Sequence, residues 1–129
     1  MTGKFLLDTN IIIAIFAEDP LVEHFLTGIS EVFIPCIALG ELYYGARKSS
    51  NVKANVEKIN DFSENTVILP CDSRTSWYYS IIKTVLKTKG RPIPENDIWI
   101  AAIAQQYGLT LVSRDEHFNE VKELVVKKL

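Results

Sequence analysis

Short apolar runs recur along this chain, and a stretch with helical character follows each of them. They are Lys4 to Leu7, the EVFIP of Glu31 to Pro35, the TVIL of Thr66 to Leu69, and Leu109 to Val112, with a weaker fifth at Leu124 to Val126. The first is followed by helical character over Asn10 to Ala17 and by a second helix over Pro20 to Leu26, where proline suits an early helical position. Ala38 to Lys48 reads as helix, and Asn51 to Phe62 carries Val52, Val56 and Ile59 at helical spacing. A long helix runs to Thr88 from a cap at Asp72 or Ser73, with Trp77, Ile81, Ile82, Val85 and Leu86 as its expected buried face. After a loop over residues 90–94, Pro94 opens a last helix that ends at Gly108, a position suited to a left-handed residue. Strands this apolar, separated by helices, imply an α/β fold with a parallel sheet covered on both faces.

The sequence has 129 residues, enough for one well-buried core, and shows no repeats, linkers or low-complexity segments. A single domain over residues 1–129 is therefore expected. The N-terminus runs straight into KFLLD without a secretory pattern, and the longest apolar run, Ile11 to Ala17, is far shorter than a membrane span. Cys36 and Cys71 lack CxxC spacing and nearby histidines, so both are expected as reduced thiols in or near the core. These features point to the cytoplasm. With 16 acids against 14 bases the formal net charge is −2, which by itself suggests no polyanionic partner.

Four of those acids stand out. Asp8, Glu41, Asp97 and Asp115 sit in FLLDTNIII, CIALGELYYGA, PENDIWIAAIA and LTLVSRDEHF, each in apolar surroundings and none with an Arg or Lys at pairing distance along its own helix. An ionised carboxylate at the edge of a core is costly unless something opposite compensates it. In parallel sheets ligands bind beyond the carboxyl ends of the strands, where strand order reverses. Asp8 follows the first strand and Asp115 the fourth, so both are expected on that edge. Glu41 shares a helix face with Ile37, Ala38, Tyr44 and Gly45, and Asp97 with Ile100, Ala101 and Ala104. Each acid alone has a plainer role: a helix cap for Asp8 and Asp115, a tolerated helix acid for Glu41, a first-turn acid favoured by the dipole for Asp97. Capping explains the four together poorly.

Converging carboxylates raise one another's pKa and cannot all ionise near neutral pH without a cation. An oxygen-only set, without His or Cys, selects Mg²⁺ or Mn²⁺ over Zn²⁺ and suits phosphodiester hydrolysis by metal-activated water. Setting the four aside leaves two more bases than acids, a balance that weakly favours a polyanionic partner and fits an ordinary mixed solvated surface equally well. Thr9 and Ser113, close in sequence to site acids, could hold a carboxylate or water in place, or serve only as cap and turn former.

The motifs LLDTNIIIA, IALGELYYGA, PIPENDIWIAAIA and LTLVSRDEHF, in this order and spacing, resemble PIN-domain ribonucleases, specifically the VapC-type toxins of bacterial and archaeal toxin–antitoxin pairs. ENDIWIAA and SRDEHF are the more specific of them. The resemblance covers nearly the whole chain and is loose after Phe118. It implies a three-layer α/β/α fold around a mainly parallel sheet of four to five strands, and one or two Mg²⁺ or Mn²⁺ ions. It also implies endoribonuclease activity, homodimerisation and inhibition by a small cognate antitoxin. The family's acidic roles, catalytic and metal-binding, fall on Asp8, Glu41, Asp97 and Asp115, and Ser113 matches its hydroxyl position.

Other residues leave alternatives open. Arg114, directly before Asp115, is a candidate for substrate phosphate contact. His117, near Asp115, invites a general-base role that a metal-activated water makes unnecessary, and His24 reads as surface or satisfied core. Arg47, Lys48, Lys53 and Lys58, or Lys83, Lys87, Lys89 and Arg91, could follow an RNA backbone or simply be solvated helix faces. Trp77, Tyr78, Tyr79 and Trp99 suit core or an oligomer interface better than base stacking, whereas Tyr43 and Tyr44 share Glu41's helix. Two rival functions remain at this level. One is a covalent aspartyl phosphatase, disfavoured because Asn10 stands where a DxD motif needs its second Asp. The other is a non-catalytic module whose acidic pocket receives a basic partner.

Overall fold

The structure, a computed structural model, describes residues 4–129. Five strands form one sheet in the order β3-β2-β1-β4-β5, every neighbouring pair parallel: β1 (Phe5–Leu7), β2 (Val32–Pro35), β3 (Val67–Leu69), β4 (Thr110–Ser113) and β5 (Val126–Lys128). Six α-helices cover it: α1 (Thr9–Phe16), α2 (Pro20–Leu26), α3 (Cys36–Arg47), α4 (Val52–Glu64), α5 (Ser73–Thr88) and α6 (Glu95–Tyr107). The arrangement is the three-layer α/β/α fold.

The central strand shows why. All three residues of β1 are buried, and they alternate between two cores as a strand's period requires. Phe5 and Leu7 join Ile11, Ile12, Ile34 and Leu42 beneath α1–α4, while Leu6 joins Ile82, Leu86, Ile100 and Ile103 beneath α5 and α6. In β4, Leu111 and Val112 divide between the same two cores. Strands β1, β2 and β3 step outward in one direction; the chain then crosses back through α5 and α6 to place β4 on the other side of β1. Strand order therefore reverses between β1 and β4, and a crevice opens beyond their carboxyl ends.

Three expectations need correction. First, on α5 only Ile82 and Leu86 of the expected stripe are buried; Trp77, Ile81 and Val85 are 58%, 43% and 40% exposed. The buried face is rotated toward Thr75, which is fully buried because it closes a capping box with Asp72 and also hydrogen-bonds Gln106 of α6. A polar anchor set the helix phase where apolar spacing suggested another. Second, β5 lies two residues later than expected, because Glu123 adopts a left-handed φ of 66° and the turn it makes delivers Val126, not Leu124, opposite Leu111. Third, Cys71 is exposed and Cys36 half-buried; both are free thiols. Gly108 has φ 64° and ψ 37°, the left-handed stop expected after α6.

Candidate active site

Asp8 sits where β1 turns into α1. One carboxylate oxygen, Oδ1, caps the helix by accepting from the Thr9 N–H at 2.8 Å; the other, Oδ2, accepts from the Ser113 hydroxyl at 2.7 Å. A single carboxylate thus serves as both cap and site group, so the two roles do not compete. Ser113 ends β4 and is fully buried; its oxygen also accepts the backbone N–H of Asp115 at 2.9 Å. Asp115 in turn caps the short 3₁₀ helix Glu116–Glu120 by accepting from the His117 N–H at 2.9 Å. The parallel pairing of β1 with β4 sets these two acids side by side.

The other two acids arrive on helices. Glu41 of α3 is half-buried and accepts at 2.7 Å from the hydroxyl of Thr9, so its helix phase points it at the β1 edge. Asp97 lies in the first turn of α6 and is only 9% exposed. Its Oδ2 is 3.1 Å from His117 Nδ1, and the same nitrogen is 2.9 Å from Asp115 Oδ1. The His117 ring thus lies between the two carboxylates, hydrogen-bonded to that of Asp97.

Glu41, Asp97, Asp115 and His117 line one cavity of about 460 Å³ together with Pro94, Glu95 and Asn96, and Asp8 is buried behind them. Burial, chiefly, pushes the Asp97 carboxyl up to about 6, with the charges of Asp8 and Asp115 adding to it and His117 opposing. Asp8 is also raised, first by burial and then by the charges of Glu41 and Asp115, against the lowering bonds from Ser113 and Thr9. Mutual repulsion of this kind is what a cation would relieve. Asp97, Asp115 and His117 each offer one ligand atom within 4.8 Å of the others, so the donor set fits a divalent ion. The sequence pointed to oxygen ligands alone; His117 brings a ring nitrogen to the same place.

Arg114, expected toward substrate, has its guanidinium 2.9 Å from Asp19 in the α1–α2 turn. Asn10, considered before only as the residue that spoils a DxD motif, clamps the loop after β4: its Oδ1 accepts the Arg114 N–H at 3.3 Å and its Nδ2 reaches Ser113 Oγ at 3.5 Å. The signal was its place in the Asp8-Thr9-Asn10 triplet, where all three side chains turn toward partners beyond their own helix. Glu95 was also missed as part of the cavity wall. Lys83 and Lys89 are engaged with Glu95 and Glu120, whereas Lys48 lies 4.4 Å above the exposed Tyr44 ring. No described helix is long and apolar enough to cross a membrane.

The PIN domain model matches residues 5–124. The chain is 38% identical over 114 residues to Ribonuclease VapC2 of Haemophilus influenzae, which covers 87% of this chain and 86% of that protein. It is 32% identical, with the same coverage of both, to the tRNA(fMet)-specific endonuclease VapC of Shigella flexneri. Among solved structures, VapBC2 from Rickettsia felis, bound to a DNA fragment from its promoter, superposes with a TM-score of 0.89 at 29% identity, over 96% of this chain and 97% of that one.

Proposed function

The chain belongs to the PIN-domain family, and on that premise we propose that it is an endoribonuclease acting as the toxin of a toxin–antitoxin pair, dependent on Mg²⁺ or Mn²⁺. The observation that carries the proposal is the meeting of Glu41, Asp97 and Asp115 along one cavity at the strand-order reversal, with Asp8 buried behind them and close enough for the charges of Glu41 and Asp115 to raise its pKa. Relatives bearing ribonuclease names at 38% and 32% identity support RNA as the substrate.

Asp97 and Asp115 would hold the cation, with Glu41 and Asp8 completing its surroundings. Once bound, the ion supplies an acidified water and offsets charge developing on the phosphate. The chain's own part is placement. Ser113 fixes Asp8 and the Asp115 backbone at once, Thr9 fixes Glu41, and Asn10 holds the loop between them. His117, whose Nδ1 lies between Asp97 and Asp115, would move aside or become a ligand when the ion is bound.

Residues 1–129 are proposed to act as a single domain, in the cytoplasm, as a homodimer held inactive by a small antitoxin; the resemblance to VapBC complexes supports the antitoxin. The test is cleavage of single-stranded and transfer RNA with Mg²⁺ or Mn²⁺, with and without EDTA. Cleavage that EDTA suppresses and that Asp8→Asn and Asp97→Asn abolish is expected. Variants that cleave as fast as wild type would overturn the site assignment.

A further inference from the structure

The wall of the acidic cavity holds a fifth carboxylate, Glu95, the first residue of α6. Unlike the other four it is neutralised by a neighbouring helix. Lys83 of α5 places its ammonium 3.1 Å from both Glu95 oxygens and 3.0 Å from the Tyr79 hydroxyl, which itself donates to Glu95. One face of the Tyr79 ring stacks on Trp99 of α6, with centroids 4.0 Å apart and planes 14° from parallel. Glu95 and Trp99 lie on either side of Asp97 in sequence, at −2 and +2, and both are tied to α5.

Beside the buried Ile98 and the Asp97–His117 contact, this end of α6 has no side-chain cap of its own. Its cap residue is Pro94, which offers no side-chain acceptor to the first-turn N–H groups, and the preceding residues 90–94 are loop. Among the described residues, Glu95 is the first-turn side chain of α6 that hydrogen-bonds another α-helix. An isolated exposed ion pair is worth little. A pair that shares a phenol, and whose phenol is fixed by an aromatic stack, is a connected unit in which each part restrains the next.

We propose that Lys83, Tyr79 and Trp99 are positioning residues that act through Glu95: they fix the first turn of α6 so that Asp97 meets Asp115 at the spacing a divalent ion requires. They also hold Glu95 away from the ion, so that it cannot serve as a competing ligand. The inference rests on the proposed metal-dependent reading of the site and concerns ion affinity, not the chemical step.

The experiment measures Mn²⁺ binding directly, by calorimetry and by electron paramagnetic resonance of free Mn²⁺, on purified full-length wild type, Lys83→Met, Tyr79→Phe and Lys83→Arg. Lys83→Met and Tyr79→Phe are expected to weaken Mn²⁺ binding about three- to tenfold. Lys83→Arg should restore most of the loss, and the far-ultraviolet spectra should remain unchanged. Cleavage at saturating Mn²⁺ should stay within about twofold of wild type, so that the defect disappears when the site is filled. Equal affinity in folded Lys83→Met and wild type overturns the proposal. So does a cleavage defect that persists at saturating metal. Should Lys83→Met fail to fold, Tyr79→Phe, which removes one hydroxyl, decides in the same way. Wild type that binds no Mn²⁺ would instead remove the reading on which the inference rests, a result distinct from variants that match a binding wild type.

Discussion

Ser113 and Asp8, 105 residues apart in sequence, meet across 2.7 Å with both side chains buried, and this bond joins the ends of the two central strands. Replacing Ser113 by Ala removes the donor to Asp8 and the acceptor for the Asp115 N–H together. Such a variant should lose about 1–3 kcal/mol of stability, the range for a buried hydrogen-bonding group left without its partner. It should also cleave RNA about 10- to 100-fold more slowly, as when groups orienting a metal's ligands are lost. Denaturant unfolding and initial cleavage rates at saturating Mn²⁺ measure the two effects. A variant as active as wild type would show that the bond does not organise the site.

Asp97 gives stability an inverted pH response in the absence of metal. Its folded pKa of about 6 lies above the ordinary 3.8, so the folded state holds this proton more tightly than the unfolded chain. The site therefore costs stability above pH 6, and the cost fades as pH falls from 6 toward 4. In EDTA, Asp97→Asn should be more stable than wild type by roughly 1–2 kcal/mol at pH 7.5, with the gap narrowing by pH 5. The difference between the two proteins cancels groups elsewhere that respond oppositely, such as Asp19 and Asp72, whose carboxyls are held low by Arg114 and by the Thr75 backbone. A gap of equal size at both pH values would contradict the assignment.

Glu41 should be the most forgiving of the four acids. It is half-buried, and Thr9 holds one oxygen, a bond that Gln can keep through its carbonyl. Glu41→Gln is expected to cut the cleavage rate about 10- to 100-fold, short of the loss in Asp97→Asn, while Thr9→Val should mimic part of that effect with the carboxylate intact. Rates measured across a Mn²⁺ titration test the ranking, which fails if Glu41→Gln is the more severe.

Cys71 should be sluggish toward alkylation despite its exposure. Partial burial of the thiol, and its contact with Cys36, push it up to about 12 from 9.0, so little thiolate exists at pH 8. Iodoacetamide labelling followed by mass spectrometry should find this cysteine reacting at least about 100-fold slower than an unstructured thiol. Labelling at the peptide rate would place the two sulfurs apart.

The layers and the gathering of the acids were legible for a shared reason: where a residue type is forced, the sequence shows it. Pro20 after Asp19 fixed the start of α2, Gly108 fixed the end of α6, and acids at strand ends had only one edge to occupy. The misses fall where a long-range polar contact chose among local options. Apolar spacing on α5 allowed a face containing Trp77 or one containing Thr75, and Gln106, thirty-one residues away, selected the second. His117 drew notice only for its nearness to Asp115; its approach to Asp97 depends on how the 3₁₀ turn after β4 is aimed. The Arg114–Asp19 ion pair is likewise a long-range contact that adjacency to Asp115 does not reveal.

The four acids come from elements scattered between residues 8 and 115, and the central strand β1 gains its partner β4 only when residues 110–113 are in place. A growing chain therefore has no gathered set of acids until residues 110–115 are free to pair with β1, and a product ended before residue 110 lacks both Asp115 and the strand that aims it. For a protein proposed to cut RNA, the acids and the central sheet that aligns them would then arrive together, in one late step of folding.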